Sequence, residues 1–115
     1  GYRTAVAKAK RGGFRTMRPD DLAAEVIKHL MKQVPNLNPA RVDDLIVGNA
    51  IPEAEQGMQM ARYISLLSLP KNVPGFIINR YCGSGGGDRP VGRPSRAFRS
   101  ENRAVAADLD LHVRR

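Results

Sequence analysis

The stretch "VPGFIINRYCGSG" (residues 73–85) decides how the rest of the chain is interpreted. Its apolar run Phe76-Ile77-Ile78 is typical of a buried β-strand, and the run leads within a few residues to Cys82, the only cysteine of the sequence. In open α/β sheets, functional residues follow the carboxyl ends of the strands. The sequence therefore predicts that Cys82 lies where such a sheet carries its chemistry.

The segments before this stretch alternate between helical and strand patterns. Residues 18–34 predict a helix, residues 42–51 contain a short buried strand, and residues 59–69 predict a second helix. The apolar residues at helical spacing in the first helix are Leu22, Val26, Ile27, Leu30, Met31 and Val34. Those of the second helix are Met60, Tyr63, Ile64 and Leu67. Alternating helices and apolar strands favour an α/β layered fold with a mainly parallel sheet.

The composition narrows the class of protein. Hydrophobic residues make up 42% of the 115 residues but aromatic residues only 5%, so we expect an aliphatic core. A single cysteine excludes an intramolecular disulfide and any multi-cysteine zinc site. Since no apolar run approaches the length of a membrane span and no signal segment opens the chain, we expect a cytoplasmic protein without a membrane partner. The chain opens with Gly1 rather than Met, which suggests that the native start lies upstream.

The charge of +8 is carried differently by two parts of the chain. Residues 1–85 hold 12 Lys and Arg against 7 Asp and Glu, whereas residues 86–115 hold 7 Arg, no Lys, and 4 Asp and Glu. We interpret residues 1–85 as a folded domain and residues 86–115 as an Arg-, Gly- and Pro-rich tail. Pro90 and Pro94, after a glycine run, forbid a stable helix there. The tail is therefore predicted to be disordered or to be translated out of frame.

The residues around Cys82 leave two interpretations open. A thiol between a strand and a helix would meet free backbone N–H groups that favour the reactive thiolate, and the small residues Gly83, Ser84 and Gly85 would let a bulky thioester approach. A lone cysteine in a small protein is otherwise more often a buried apolar residue. The glycine run lacks the Gly-Lys-Ser/Thr of a phosphate loop. The spacing of Glu25 and His29 is typical of a solvated helix face, and we predict no metal site.

The segment "NRYCGSG" (79–85) resembles the nucleophile turn of the thiolases, Asn-Arg-x-Cys-x-Ser-Gly, which lies between a strand and a buried helix. "RTAVAKAKRGGF" (3–14) is similar to the opening loop of that family. Residues 18–34 and 42–80 follow the family's order of helix, strand, helix and strand. The resemblance is continuous over about residues 2–85 and is nearest to the 3-ketoacyl-CoA thiolases, or acetyl-CoA acyltransferases.

The resemblance implies an acyltransferase of fatty-acid degradation (beta-oxidation). Cys82 would attack the keto carbon of a 3-ketoacyl-CoA, release acetyl-CoA, and hold the shortened acyl chain as a thioester until free CoA collects it. Coenzyme A is then a substrate, no covalently bound cofactor is expected, and the intact family member is expected to be a homo-oligomer, a dimer or tetramer.

Thiolases also use a histidine and a second cysteine from their later half. This sequence has no second cysteine and no Gly-His-Pro. We therefore expect an incomplete thiolase fold, a fragment of its N-terminal half, that is inactive as an isolated chain.

A different class of function is kept as the alternative. The tail segment "RPVGRPSRAFR" (89–99) is rich in arginine, and it could bind nucleic acid or an acidic partner non-specifically. It contains one aromatic residue, Phe98, and no recognisable nucleic-acid-binding module. Nucleic acid is therefore the less expected partner, after the acyl-CoA and CoA substrates.

Overall fold

The computed structural model describes residues 4–5, 7–8, 11–81 and 84, together with the backbone of residues 109–113. The helices and strands, in chain order, are α1 (Pro19–Gln33), β1 (Val42–Gly48), α2 (Met60–Ser68), β2 (Gly75–Ile78) and β3 (Leu109–Val113). Short 3-10 turns at Pro39–Arg41 and Ala54–Gln56 precede β1 and α2, respectively. The predicted order of helix, strand, helix and strand is confirmed.

The described strands form one sheet in the order β2-β1-β3. β1 and β2 are parallel, with Leu45 opposite Gly75 and Gly48 opposite Ile78. α2 connects these two strands and packs against both of them. The β1-α2-β2 unit is the parallel α/β arrangement that the sequence predicted.

β3 lies within residues 86–115, the tail that the sequence analysis predicted to be disordered or translated out of frame, and for which it predicted no strand. Residues 109–113 instead run antiparallel to β1, with Leu45 opposite Leu111. The sequence "LDLHV" alternates apolar and polar residues, which is the period of a strand, and β1 offers it an edge that β2 leaves unpaired. The other residues of the tail and the boundary after residue 85 lie outside the described residues, so the out-of-frame interpretation stays a prediction.

The hydrophobic core lies between α2 and one face of the sheet, and α1 packs on α2. Its buried residues are Ala23, Ile27, Val42, Leu45, Val47, Met60, Ala61, Ile64, Leu69 and Val73. All of them are aliphatic, alanine or methionine, as the composition predicted. The segments after β1 and β2 follow this layer at Gly48 and Ile78, the last residues of the two strands.

The face that α2 turns toward the sheet is narrower than its apolar pattern suggested. Met60 and Ile64 are buried, but Tyr63 and Leu67 are 47% and 45% exposed. A Cβ placed on Gly75 would lie 2.7 Å from the backbone oxygen of Ala61, so the helix and β2 approach more closely than larger residues allow. The small residues Ala61 and Gly75 therefore allow a close approach between α2 and β2.

Candidate active site

The two parallel strands end at the same edge of the sheet. Gly48 lies opposite Ile78, and the backbone N–H of Asn49 donates to the backbone oxygen of Ile78 over 3.0 Å. We call the segments that follow, residues 49–59 and 79–84, the carboxyl edge. Because ligands of open α/β sheets bind beyond the carboxyl ends of strands, this edge is the candidate site.

Two side chains shape the turn after β2. The side-chain oxygen Oδ1 of Asn79 accepts a hydrogen bond from the backbone N–H of Tyr81 over 3.0 Å. The Ser84 hydroxyl accepts from the backbone N–H of Arg80 over 2.8 Å and donates to the backbone oxygen of Tyr81 over 2.7 Å. The Ser84 N–H also donates to that oxygen, over 3.0 Å. Ser84, which is 7% exposed, thus ties the two ends of the turn together, whereas the sequence analysis had given it only the role of a small residue.

Cys82 itself lies outside the described residues, as does Gly83. The chain places Cys82 directly after Tyr81 and two residues before Ser84, both of which are part of the turn. The role of Cys82 as the acyl-thioester nucleophile stays a prediction.

The loop after β1 is held by Asn49, a residue that the sequence analysis did not single out. Asn49 is 4% exposed. Its side-chain N–H donates to the backbone oxygen of Gln56 over 2.9 Å, and its Oδ1 accepts from the backbone N–H of Ile51 over 3.2 Å. An asparagine directly after a strand is a known signal for such local side-chain bonds, and it could have been found in the sequence.

Left-handed backbone is concentrated at this edge. The non-glycine residues with positive φ in the described part of the chain are Ala54 (50°), Met58 (55°) and Tyr81 (51°). Residues with a Cβ rarely adopt this conformation, and they keep it only where surrounding contacts hold it. All three lie in the segments that follow β1 and β2. The backbone conformation of the carboxyl edge is therefore not determined by the strands alone.

A salt bridge connects the start of α1 to the carboxyl edge. Arg18 donates two hydrogen bonds to the Asp20 carboxylate, from Nε over 3.0 Å and from Nη2 over 2.9 Å. Its Nη1 lies 3.8 Å from Oε1 of Glu55, in the loop after β1. The hydrogen bonds from Arg18 hold the pKa of the Asp20 carboxyl below its ordinary value, despite the burial of that side chain.

The described residues form neither a candidate metal site nor a helix that could cross a membrane. The Glu25 carboxylate lies 2.9 Å from Nζ of Lys28, in an ion pair on the exposed side of α1. Within residues 4–5, 7–8, 11–81 and 84, no three His, Cys, Asp or Glu side chains come together in a way that could hold a metal ion. Over the same part of the chain, no helix has the length and hydrophobicity needed to cross a bilayer.

The fold and the edge define an α/β protein whose candidate site follows two parallel strands. The family described as "Thiolase, N-terminal domain" matches residues 1–87, three quarters of the chain. The protein therefore belongs to the thiolase family, and the resemblance found in the sequence is confirmed.

Curated relatives and a solved structure agree with this assignment. The 3-ketoacyl-CoA thiolase of Bacillus subtilis (strain 168) is 51% identical over 86 residues, which is 74% of this chain and 22% of the relative. "3-ketoacyl-CoA thiolase 5, peroxisomal" of Arabidopsis thaliana is 40% identical over 85 residues, 73% of this chain and 18% of the relative.

The crystal structure of the Bacillus anthracis acetyl-CoA acetyltransferase superimposes with a TM-score of 0.63 at 28% identity. The match covers 72% of this chain and 21% of that one, and it confirms the thiolase-like α/β fold. The chain spans about a fifth of the length of the curated relatives that it matches.

Proposed function

We propose that this sequence provides the nucleophile-bearing segment of a thiolase-type acyltransferase that cleaves 3-ketoacyl-CoA with CoA. One observation carries the proposal: the thiolase N-terminal domain matches residues 1–87, a range that includes Cys82 and the turn after β2. The relatives are 3-ketoacyl-CoA thiolases, which supports 3-ketoacyl-CoA as the substrate class. From membership of the thiolase family we propose further that the pathway is fatty-acid degradation and that the intact protein is a homo-oligomer.

In the proposed reaction the Cys82 thiolate attacks the keto carbon of 3-ketoacyl-CoA. The bond between that carbon and the α-carbon then breaks, and its electron pair leaves as the enolate of acetyl-CoA, which takes up a proton. The shortened acyl group stays on sulfur as a thioester. The thiolate of free CoA attacks this thioester, forms the shortened acyl-CoA, and returns Cys82 as a thiolate.

The described residues would hold the segments on either side of the nucleophile in fixed positions. Tyr81 and Ser84 enclose Cys82 and Gly83 in the sequence, and two hydrogen bonds join them. These hydrogen bonds fix the positions of Tyr81 and Ser84 relative to each other. The Asn49 contacts do the same for the neighbouring loop. The edge would thereby be preorganised for an attacking group.

The proposal is tested in a chimera, in which the 86 matched residues of this chain replace those of the Bacillus subtilis relative. We expect CoA-dependent cleavage of acetoacetyl-CoA by the chimera and its loss in Cys82→Ser. Ser68→Ala is the matched control, because the Ser68 hydroxyl bonds only within α2, to the backbone oxygen of Ile64. A folded chimera without turnover, or turnover that survives Cys82→Ser, would disprove the proposal.

The chain alone is expected to show no turnover. It contains one cysteine and two histidines, His29 and His112, and neither histidine stands in Gly-His-Pro. The proton transfers that the resemblance assigns to a second cysteine and a histidine therefore have no residue to perform them. The same acetoacetyl-CoA assay on the 115-residue chain checks this, and turnover that Cys82→Ser removes would show that this expectation is wrong.

A further inference from the structure

The strand β3 comes from outside the part of the chain that matches the thiolase family. The family match ends at residue 87, whereas β3 begins at Leu109. It nevertheless pairs with β1, which belongs to the matched part and which β2 covers on its other side. A segment outside the family match therefore adds a strand to the sheet of the matched part.

The strand β1 has the composition of an interior strand. It lies in the middle of the order β2-β1-β3, and its residues Leu45, Ile46 and Val47 form a continuous apolar run. Leu45 and Val47 have no exposed surface. A strand of this kind at the edge of a sheet offers its unpaired N–H and C=O groups to another chain, and a second copy of the same strand can pair with it antiparallel. Without β3, β1 would have such an edge.

The hydrogen bonds of β1 show which of its backbone groups face β3. The Leu45 N–H donates to the Pro74 oxygen over 3.1 Å, on the side of β2. Because the backbone groups of successive residues in a strand alternate between its two neighbours, those of Ile46 face β3, where Asp110 lies directly opposite. Two residues paired in this way exchange two backbone hydrogen bonds. Asp110 is therefore a position at which β3 covers the polar groups of β1.

We propose that β3 is an internal strap, which closes the edge of β1 and prevents two copies of the chain from pairing through that strand. The antiparallel register extends from Val47 opposite Leu109 to Val42 opposite Val113, so it covers β1 over most of its length. Because β3 belongs to the same chain, its pairing does not depend on protein concentration, whereas pairing with a second copy does. The strap is independent of the catalytic activity proposed above.

The first experiment breaks the strap in the full 115-residue chain with Asp110→Pro. Proline has no backbone N–H and is not tolerated where a strand must donate to its neighbour. Asp110→Ala is the matched control, because it removes the same carboxylate and keeps the N–H. Mass is measured by light scattering over a series of protein concentrations. We expect the wild type and Asp110→Ala to stay monomeric, and the mass of Asp110→Pro to rise with concentration to that of a dimer or larger.

Hydrogen exchange separates an opened edge from an unfolded chain. It is measured at a low concentration at which Asp110→Pro is still monomeric. The Ile46 amide faces β3 and should exchange about tenfold faster or more in Asp110→Pro than in the wild type. The Leu45 amide donates to the Pro74 oxygen and should keep its protection in the same sample.

A synthetic peptide of residues 107–115 (ADLDLHVRR) supplies the strap from outside. Added in excess to Asp110→Pro, it should restore the monomeric mass and the protection of Ile46, whereas the same peptide with the Asp110→Pro change should do neither. The inference is wrong if Asp110→Pro stays monomeric, if the wild type or Asp110→Ala associates as strongly, if Leu45 loses protection together with Ile46, or if the two peptides act alike. None of these readouts depends on turnover, so the strap and the proposed function can be rejected separately.

Discussion

The covered face of the sheet and its carboxyl edge are stabilised by different kinds of interaction. On the covered face, Leu45, Val47 and Ile64 are fully buried and stabilise the layer through apolar area removed from water. At the edge, Asn49 and Ser84 bond to backbone groups of neighbouring residues. The apolar face fixes which elements pack together, and these polar side chains fix the shape of the segments that follow the strands.

The difference predicts where mutations act. A truncation on the covered face leaves a cavity in the only hydrophobic layer of the described residues, so it should destabilise every element. A truncation at the edge leaves that layer intact and releases a few backbone groups, so it should alter one loop while the rest keeps its structure. Stability and local shape can therefore be changed separately.

The largest effect is expected for Ile64→Ala. Ile64 has no exposed surface and lies on the side of α2 that packs on the sheet. Loss of its methyl and methylene groups should lower the free energy of unfolding by about 2–5 kcal/mol. The measurement is urea denaturation followed by far-UV circular dichroism. Leu66→Ala is the matched control, since Leu66 is 52% exposed on the same helix, and a change in stability as large as that of Ile64→Ala would contradict the comparison.

A smaller and more local effect is expected for Asn49→Ala. The variant leaves the Gln56 oxygen and the Ile51 N–H without their side-chain partner, which should cost about 1–3 kcal/mol. Hydrogen exchange should show faster exchange of the Ile51 amide, with the amides of β1 protected as before.

Asn38→Ala is the control for Asn49→Ala. The Asn38 side chain also accepts a backbone hydrogen bond, from Ala40, but at an exposed position, and its loss should cost about 1 kcal/mol or less. If the two variants were equally destabilised, the burial of Asn49 would not be the source of its effect. If β1 lost protection in Asn49→Ala, the edge and the covered face would not be independent.

The sequence predicted the elements whose apolar residues repeat regularly. The helical spacing of Ile27 and Ile64 and the apolar run of β2 gave the correct order of the elements. The prediction that β2 is a buried strand is wrong, because β2 lies at the edge of the sheet, where Phe76 is 38% exposed and Ile77 and Ile78 are only partly buried.

The sequence did not predict the close approach of α2 to β2, where a Cβ on Gly75 would lie 2.7 Å from the backbone oxygen of Ala61, or the hydrogen bond that the Ser65 hydroxyl donates to the Val73 oxygen over 2.6 Å. A prediction from regularly spaced apolar residues does not detect contacts made by small or polar residues.

The candidate site was predicted only in part. The resemblance gave the turn after β2, but nothing in the residue types indicated left-handed backbone at Ala54 or Met58, because neither residue favours it. β3 was missed because the arginine and proline content of the whole tail outweighed five alternating residues. For residues 109–113, the alternation of apolar and polar residues indicates a strand, whereas the composition of the whole tail does not.

The smallest effect is expected for the ion pair between α1 and the carboxyl edge. Asp20 has a lower pKa in the folded protein than in the unfolded chain, because Arg18 donates hydrogen bonds to its carboxylate. A carboxyl with a lowered folded-state pKa stabilises the fold at pH values above its unfolded pKa of about 3.9. That contribution is lost as the pH falls through the folded-state value.

The difference in unfolding free energy between wild type and Asp20→Asn should therefore be constant near neutral pH and should shrink below about pH 4. Because the Arg18 side chain is 51% exposed, water and salt screen the pair, and the difference should stay below that of Asn49→Ala. The double variant Arg18→Gln with Asp20→Asn completes the cycle, and in the Arg18→Gln background the substitution of Asp20 should lose most of its pH dependence. A pH dependence that is unchanged by Arg18→Gln would assign it to the burial of Asp20 and its bond from the Asp21 N–H, and Arg18 would then not connect α1 to the edge.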